Sequence, residues 1–557
     1  MVLGLSVQQI KNFLKLSAAV LESRGRDNLY SKPMNTLLLQ KISLCAALAI
    51  ALQTAHAKTD TTYIGPDNGL YSDPANWSNG VPINNTFHAI NNTDFIIRLD
   101  VDPTIKSLTL GADIGRLFGT DHNFTVTGNT DMGAGNRIDV VAQSLFNVKF
   151  DLGNLKNFSG KTLNSGVYSV TAAPGTTSKL QFNRANIVTN NARIGIIGAG
   201  AAIVDQNGAN ALANLTTNGV DGFIRIGSGA SFTTANNFTN GGWMVARPGG
   251  TYTFNGSFAC VTNPANPDAG LFEVYGTDLG PTASQGNGLL AANGSFGDVN
   301  PAGDTLVDGQ LTTVSNGSAT AMIRFNNANI ININNAASIN LIGPNSRIVD
   351  QSGNDGLRNL ATNDGFLLLA RQSRSTAGAL TNNGVLAALG GGNLTVEGSM
   401  TNNGVFGVIP FDIFLFVNGI PGFDPAPDGA ITTLVTINGN LTLGSTSDYV
   451  AEVYDPTITA SVRVNGIAAL DGVLELLLID PSLITSTDTF TLILTDGQIT
   501  GAFANVLSGG RLDARQDTGG GNGGDVVGSF RVDYNGNSLT ITDFQVAPTQ
   551  PKGQPKL

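Results

Sequence analysis

Charge is what this sequence has least of. Lys, Arg, Asp and Glu make up 13% of its 557 residues, about half the share of an ordinary soluble domain. Helices that face water need a charged or polar stripe, so the shortage argues against a helical protein. Cysteine is nearly absent as well, with Cys45 and Cys260 alone. Cys45 falls in a segment that reads as a removable leader, which leaves one thiol and no intramolecular disulfide. Histidine stops at His56, His88 and His122, and the last two cannot build a multi-His metal centre with a single Cys. Tryptophan occurs only at Trp77 and Trp243. Each is either a platform for stacking a sugar or an apolar packing residue. Basic side chains are scarce too. The formal net charge is −11. Residues 1–57 hold six basic and two acidic side chains, so the remainder keeps 24 basic and 39 acidic ones, a formal charge of −15. Holding nucleic acid requires a basic patch that neutralises phosphates, which excludes nucleic acid as a partner.

A membrane-spanning run is also missing. The longest apolar stretch, Ile42 to Leu52, is about half of the ~20 residues that cross a bilayer. Read from Met34, MNTLLLQKISLCAALAIALQTAHA combines a Lys, this short apolar core and the small-x-small site Ala55-His56-Ala57, the pattern of a signal peptide. The expected mature start is Lys58, with no transmembrane segment in the mature chain. The preceding SVQQIKNFLKLSAAVLESRG has helical periodicity and either lies upstream of the true start or extends the signal. Leu44 stands where a lipoprotein signal needs a small residue, which argues against lipidation at Cys45.

Glycine, at 69 residues, and Asn are abundant, among strand-forming Thr, Val and Ile. Hydrophobic residues reach 41%, enough to bury a core and to exclude disorder. The strongest signal is an internal repeat. FNRANIVTNNARIGIIGAGAAIVDQNGANALANLTTN from Phe182 matches FNNANIININNAASINLIGPNSRIVDQSGNDGLRNLATN from Phe325. Asp205-Gln206 pairs with Asp350-Gln351, and Gly208 with Gly353. Downstream, FTNGG at Phe238 matches LTNNG at Leu380, and TYTFNGSF at Thr251 matches NLTVEGSM at Asn393. The long repeats therefore span 182–258 and 325–400. Inside them TNNGV recurs at Thr381 and Thr401, a spacing of 20 residues that reads as one coil of a solenoid. A coil this short cannot bury its own apolar side and must stack on its neighbours. Alternation of Tyr252 and Phe254 with Thr251 and Thr253, and of Phe490, Leu492 and Leu494 with Thr489, Thr491 and Ile493, gives the period of two expected of strands. The Asn-Asn-Gly pairs are expected at bends, where positive φ is tolerated, with the Asn side chains hydrogen-bonding in ladders from coil to coil.

Three blocks carry a resemblance. NGLYSDPANWSNGVP (Asn68 to Pro82) with LDVDPTIKSLTLG (Leu99 to Gly111) is similar to the NW-x-x-G-x-P opening of exported, autotransporter-like (passenger-type) β-helix repeat proteins of bacteria, of planctomycete and verrucomicrobial type. The central repeats resemble that family's ANIxTNxAxIxLxGxxxxIVDQxG segments. VRVNGIAALDGVLELLL (Val462 to Leu478) and DTFTLILTDGQITGAFANV (Asp488 to Val506), with Gly501 and Phe503 in a G-x-F position, resemble its closing strands. The resemblance implies architecture and export rather than chemistry. The chain departs from the family's endings, with no terminal run of alternating strands for an outer-membrane barrel, no apolar helix with a basic tail and no sorting motif.

Catalytic constellations are missing. Galacturonase-type clustered Asp pairs, Gly-His-Gly and Arg-x-Lys do not occur, and no local motif selects the two carboxylates that glycoside hydrolysis needs. Asp100 with Asp102, and Asp424 with Asp428, flank Pro and read as turn residues. GGNGGDVVG (Gly520 to Gly528) fits one copy of a Ca²⁺-binding β-helix repeat centred on Asp525. Ligands there are shared between successive turns and no second copy follows, so a glycine-rich loop is the simpler reading. No catalytic, cofactor or metal residue is assigned.

The expectation is all-β: a leader over 1–57, a right-handed parallel β-helix (β-solenoid) over 58–460, a capping β segment over 461–545 and a polar, Pro-rich, disordered tail over 546–557. Twenty or so coils at ~4.8 Å would make a rod on the order of 100 Å. The expected role is that of a secreted or cell-surface structural or adhesive protein without catalysis, meeting extracellular glycans or cell-envelope components. The alternative is a polysaccharide lyase, a hydrolase or a carbohydrate-binding β-helix.

Overall fold

A computed structural model describes residues 59–557 except 112–114, 145–146, 263–268, 278–285, 301–303, 411–431, 455–459, 517–523 and 549–557. The leader with Met34, Lys58 and Cys45, Asp424 and Asp428, and the end of the tail lie outside the described residues. Thr59–Leu557 is one compact unit. It is a stack of parallel coils, a β-solenoid. A representative coil has three strands, Val385–Leu389, Asn393–Val396 and Met400–Asn402. Each pairs in parallel with the strand one coil on: Val385 faces Val405, Asn393 faces Leu434 and Met400 faces Leu441. The first strand of each coil joins one long sheet, running from Ile96–Leu99 through Arg193–Ile197 and Phe366–Ala370 to Val473–Leu478.

The TNNGV spacing is indeed one coil, since Thr381 pairs with Thr401 and Asn382 with Asn402. Twenty residues is not a period for the whole chain, however. Phe366 pairs with Val385, 19 residues on, and Val405 with Asp448, 43 residues on. Parallel pairing fixes the rise between strands but leaves the length of the connections free.

Alternation puts every second side chain inside, except in Phe490–Thr495, where a register shift after Thr491 buries Ile493 beside Leu492 and leaves Leu494 half-buried. Tyr168, Tyr252, Phe254, Phe258 and Phe272 are completely buried, and the rings contact within a coil, with Phe254 and Phe258 stacked at 4.3 Å, and from coil to coil, with Phe238 and Phe258 stacked at 6.1 Å and Phe296 and Phe325 at 4.8 Å. Each such ring contributes about 1.5–3 kcal/mol by leaving water, so the core is a continuous column that no single coil could form.

Buried asparagines run beside that column. Asn190 donates Nδ2 to Oδ1 of Asn218 at 2.9 Å, and Asn218 does the same to Asn240 at 2.9 Å. A second ladder joins Asn363 to Asn382 at 2.7 Å and Asn382 to Asn402 at 2.6 Å. All six are fully buried. In the second ladder the remaining amide hydrogen goes to a carbonyl of the next coil, Val385 O for Asn363 and Val405 O for Asn382, both at 2.9 Å, and in the first Asn190 donates to the nearby Ala192 O at 2.9 Å. Cys260 follows Asn240 in register and ends the first ladder. At the start of the second, Ile333 precedes Asn363, and Asn363 Oδ1 has no partner among the described residues. A separate row runs outside, from Asn403 to Asn383 to Asp364.

The ladders are as expected, but positive φ is not what the Asn-Asn-Gly motif supplies. None of Asn382, Asn383, Gly384, Asn402, Asn403 and Gly404 has a positive φ. Glycine is required because the coils approach so closely: a Cβ on Gly384 would lie 2.0 Å from the carbonyl oxygen of Gly365, and one on Gly404 2.2 Å from that of Gly384. Left-handed backbone sits instead in the Asp-Gln-x-Gly turns. Asp205 Oδ1 accepts from the backbone of Asn207 and Ala209 at 2.8 Å, and Gly208 has φ of 82°. Asp350 repeats this with Ser352 and Asn354 around Gly353 at φ of 85°. Gln206 Oε1 reaches back to the amide of Arg184, and Gln351 Oε1 to that of Asn327, both residues left-handed. Amides donated to Asp205, and the Asn354 side chain donated to Asp350, hold both carboxyls below the usual range. The long repeat is thus a repeated inter-coil clamp.

Both ends are closed. At the N-terminal end Tyr63 and Tyr71 meet Trp77 edge-on at 5.4 and 5.1 Å. Trp77 Nε1 donates to Tyr71 O and Tyr71 Oη to Pro82 O, so the Asn-Trp-x-x-Gly-x-Pro block is a plug. At the other end Arg511–Gln516, Val526–Tyr534 and Ser538–Val546 form an antiparallel meander, and Phe490–Thr495 joins it antiparallel. A closing β segment is present, but parallel coils run past the expected boundary at 460, since Asp448–Val453 pairs in parallel with Val473–Leu478, Ala468–Leu470 with Ile499–Gly501 and Val473–Leu478 with Arg511–Gln516; only the antiparallel meander turns the stack aside before its last edge is presented for further pairing.

Truncating a ladder residue inside the column strands two partners, whereas truncating its exposed neighbour strands none. Asn382→Ala is expected to cost about 2–4 kcal/mol and Asn383→Ala less than about 1 kcal/mol. Urea denaturation followed by circular dichroism reads both, and equal midpoints for the two variants would remove the ladder's energetic role.

Candidate functional site

Outward side chains of the long sheet form three columns, because positions one, three and five of each strand point away from the core. Across six successive strands, Ile96–Leu99, Arg116–Thr120, Arg137–Ala142, Val167–Ala172, Arg193–Ile197 and Phe223–Gly227, the columns carry Arg98, Arg116, Arg137, Arg193 and Arg225. Asp139 is their one carboxylate. It is buried between Arg116 and Arg137, whose Nε lies 2.8 Å away. Aromatic rings interleave with the cations. The Arg116 guanidinium lies 5.0 Å from the Phe118 ring and that of Arg193 lies 4.9 Å from the Phe223 ring.

Between Arg137 on one side and Phe223 with Arg225 on the other the surface recedes. The outward residues there are Val167, Ser169 and Thr171 on one strand and Arg193, Gly195 and Ile197 on the next, and Gly195 has no atom nearer than 3.8 Å to where a Cβ would stand. The result is an open groove of about 370 Å³ along the sheet. Just beyond it Trp243 packs edge-on against Phe223 at 5.0 Å and donates Nε1 to Glu273 at 2.9 Å. Further along, the same face turns apolar, with Val314, Ile342, Leu368, Ala370 and Leu389 in a second cluster apart from the core.

The two tryptophans therefore divide. Trp77 is a plug residue, 4% exposed, and offers no platform. Trp243 is half-buried on the outer face beside the groove. The arginine row was not assigned from sequence. Its signal is that, between residues 59 and 250, every Arg but Arg184 and Arg247 lies on these strands while every Lys lies elsewhere.

The remaining polar candidates are spent on joining coils. Asp100 accepts from Ser72 N at 2.9 Å, Asp102 from Asn123 N at 2.8 Å, and Asp102 also meets His122 at 3.1 Å. His88 bridges Asp60 and Thr109 across three strands. Asp525 enters an antiparallel hairpin, its carbonyl accepting from Gln516 N; much of the glycine run before it lies outside the described residues. No group of three His, Cys, Asp or Glu is placed to hold a metal among the described residues.

Two carboxylate settings were invisible in the sequence. Asp448 and Glu475 sit at diagonal outer positions of neighbouring strands at the far end of the long sheet, Asp448 facing Val473 and Glu475 facing Val450. Burial raises both pKa values, and the charge of Asp448 raises that of Glu475 further. Inside the stack, both oxygens of Asp298 accept from the amide of Cys260 at 2.7 and 2.8 Å. Burial pushes the Asp298 carboxyl up to about 8, and burial, then Asp298, pushes the Cys260 thiol up, so that thiol is a poor nucleophile.

Asp298 gives a pH signature. Its folded pKa lies above the unfolded one, so its contribution to stability is complete at low pH and is lost as pH rises from about 4 to about 8. Asp298→Asn is expected to melt several degrees higher than the parent at pH above 8 and close to it near pH 5; a constant difference across that range would remove the buried carboxyl as the cause. The tryptophans supply a second test, since Trp243→Phe should leave only the blue-shifted, poorly quenched emission of Trp77, and strong acrylamide quenching of that residue would contradict its place in the plug. No protein-family model, no curated protein and no solved structure matches this chain.

Proposed function

We propose that this chain is exported, stands at the cell surface or outside the cell, and acts as a structural or adhesive β-solenoid that meets extracellular glycans through its outer sheet face. The observation that carries this reading is the groove beside Phe223 and Trp243. It is open, lies on regular strands rather than on loops, and is bordered by rings next to guanidinium groups. Sugars are bound by such surfaces through ring stacking and hydrogen bonds, without any catalytic group. The leader-like segment ending at Ala57 supports export, and the plug and closing segments support likeness to passenger-type β-helix proteins. No described helix is long and apolar enough to cross a membrane.

One observation favours a second reading, glycan cleavage. Asp448 and Glu475 are neighbouring carboxylates with raised pKa values, and glycoside hydrolysis uses one protonated and one ionised carboxyl group. The groove lies many coils away from that pair, so binding and cleavage would be separate sites.

A glycan array together with a depolymerisation screen, run with and without Ca²⁺, separates the two. Binding without release of reducing or unsaturated ends is expected. Release of such ends that is abolished by Asp448→Asn or Glu475→Gln would replace the adhesive reading with the enzymatic one. Absence of binding to any glycan would overturn the glycan-binding role.

A further inference from the structure

We infer that the groove takes an acidic polysaccharide, one bearing carboxylates along its sugar chain, and that the arginine row reads those carboxylates in register with the coils. This rests on the glycan-binding reading above and names the ligand class for the same site.

Charge is the first argument. Six strands of the outer face carry five Arg and one Asp, a local excess of four positive charges on a chain whose residues beyond 57 sum to −15. Arg116 and Arg137 spend part of their donors on Asp139, and an anionic glycan would use the cationic surface that remains. Arg193 has no carboxylate partner among the described residues; its guanidinium rests on the Phe223 ring, which holds the fork in place while leaving its donors facing solvent.

Residue type is the second. The basic residues on this face are all Arg, and the lysines of the same stretch, Lys106, Lys149, Lys156, Lys161 and Lys179, all lie elsewhere. A planar guanidinium makes two parallel hydrogen bonds to a carboxylate, which an ammonium group cannot do. Selection for charge alone would not separate the two types.

Spacing is the third. Strands one coil apart lie about 4.8 Å apart, comparable with the length of one sugar residue in an extended polysaccharide. Arg193 and Arg225 lie on adjacent strands and Arg137 lies two strands before Arg193. A chain lying along the groove would thus present carboxylates to Arg137, Arg193 and Arg225, with the Phe223 and Trp243 rings beside its apolar faces.

The test measures binding of the full chain to sodium alginate, to the same polymer after its carboxyl groups are reduced to alcohols, and to dextran sulfate. Alginate is expected to bind, more weakly as salt rises, and the carboxyl-reduced polymer is expected to bind at least tenfold more weakly. The double variant Arg193→Gln with Arg225→Gln should lose tenfold or more, and so should Ser169→Trp, which fills the groove without entering the core, both with unchanged melting. Equal binding of the reduced polymer would overturn the acidic class while leaving glycan binding intact. Dextran sulfate bound as tightly as alginate would show a general anion patch and overturn carboxylate reading. Unaltered alginate binding by both variants would remove the site, and no binding of any polymer on the array would remove the underlying function.

Discussion

The separation of neighbouring parallel strands, about 4.8 Å, is the constraint on which the rest of this molecule depends. A side chain placed at a given position in one coil meets whatever occupies that position in the next. Asparagine suits this spacing because an amide can donate up and accept from below at one rise, as Asn190, Asn218 and Asn240 do. The same spacing forces glycine at Gly384 and Gly404, where a carbonyl of the previous coil already fills the space of a Cβ. It also sets the clamps in which Gln206 and Gln351 accept from the amides of Arg184 and Asn327 in the coil before, out of turns that Asp205 and Asp350 hold locally.

Burying rows of amides inside an apolar column is costly unless every donor and acceptor is used. The two ladders meet that requirement along their length and fail only at their starts and stops. The first runs out at Cys260, whose sulfur lies 3.9 Å from the Asn240 amide, and the second begins with the unpartnered oxygen of Asn363 above Ile333. The long repeat explains the offset. Ile333 occupies in the second repeat the place that Asn190 holds in the first, so the second ladder starts one coil later. Ladder breaks are therefore positions where the column exchanges polar specificity for apolar packing, and Asp298 lies beside one of them.

What was legible in the sequence follows the same logic. Alternation, the TNNGV spacing and the paired Asp-Gln-x-Gly turns are local patterns, and local patterns survive in a linear string. The plug was visible as a motif, although only the structure shows that Trp77 is sealed by Tyr63 and Tyr71 while Trp243 stays at the surface. The Asn-Asn-Gly bends were found, with the wrong cause, because close approach between coils is a relation between residues some twenty positions apart and leaves no local sign. The arginine row was missed for a stronger reason. Coils vary from 19 to 43 residues, so residues that share a column recur at no fixed interval and no periodicity search can align them.

That variability is also what lets such a fold carry a site. Insertions between strands alter connections but not the register of the long sheet, so its outer columns remain a regular grid whatever the intervening chain does. On a loop, five guanidinium groups would have to be held by local contacts at a large cost in conformational entropy. On the grid each is held by its own strand, and ring contacts at Phe118 and Phe223 fix the side chains further. The face then changes from cationic to apolar beyond Trp243 without any change in backbone, since outward positions contribute nothing to the core and are free to differ from coil to coil. The separation of roles follows from the alternation itself: inward residues must repeat for the stack to hold, and outward residues can specialise because they need not repeat.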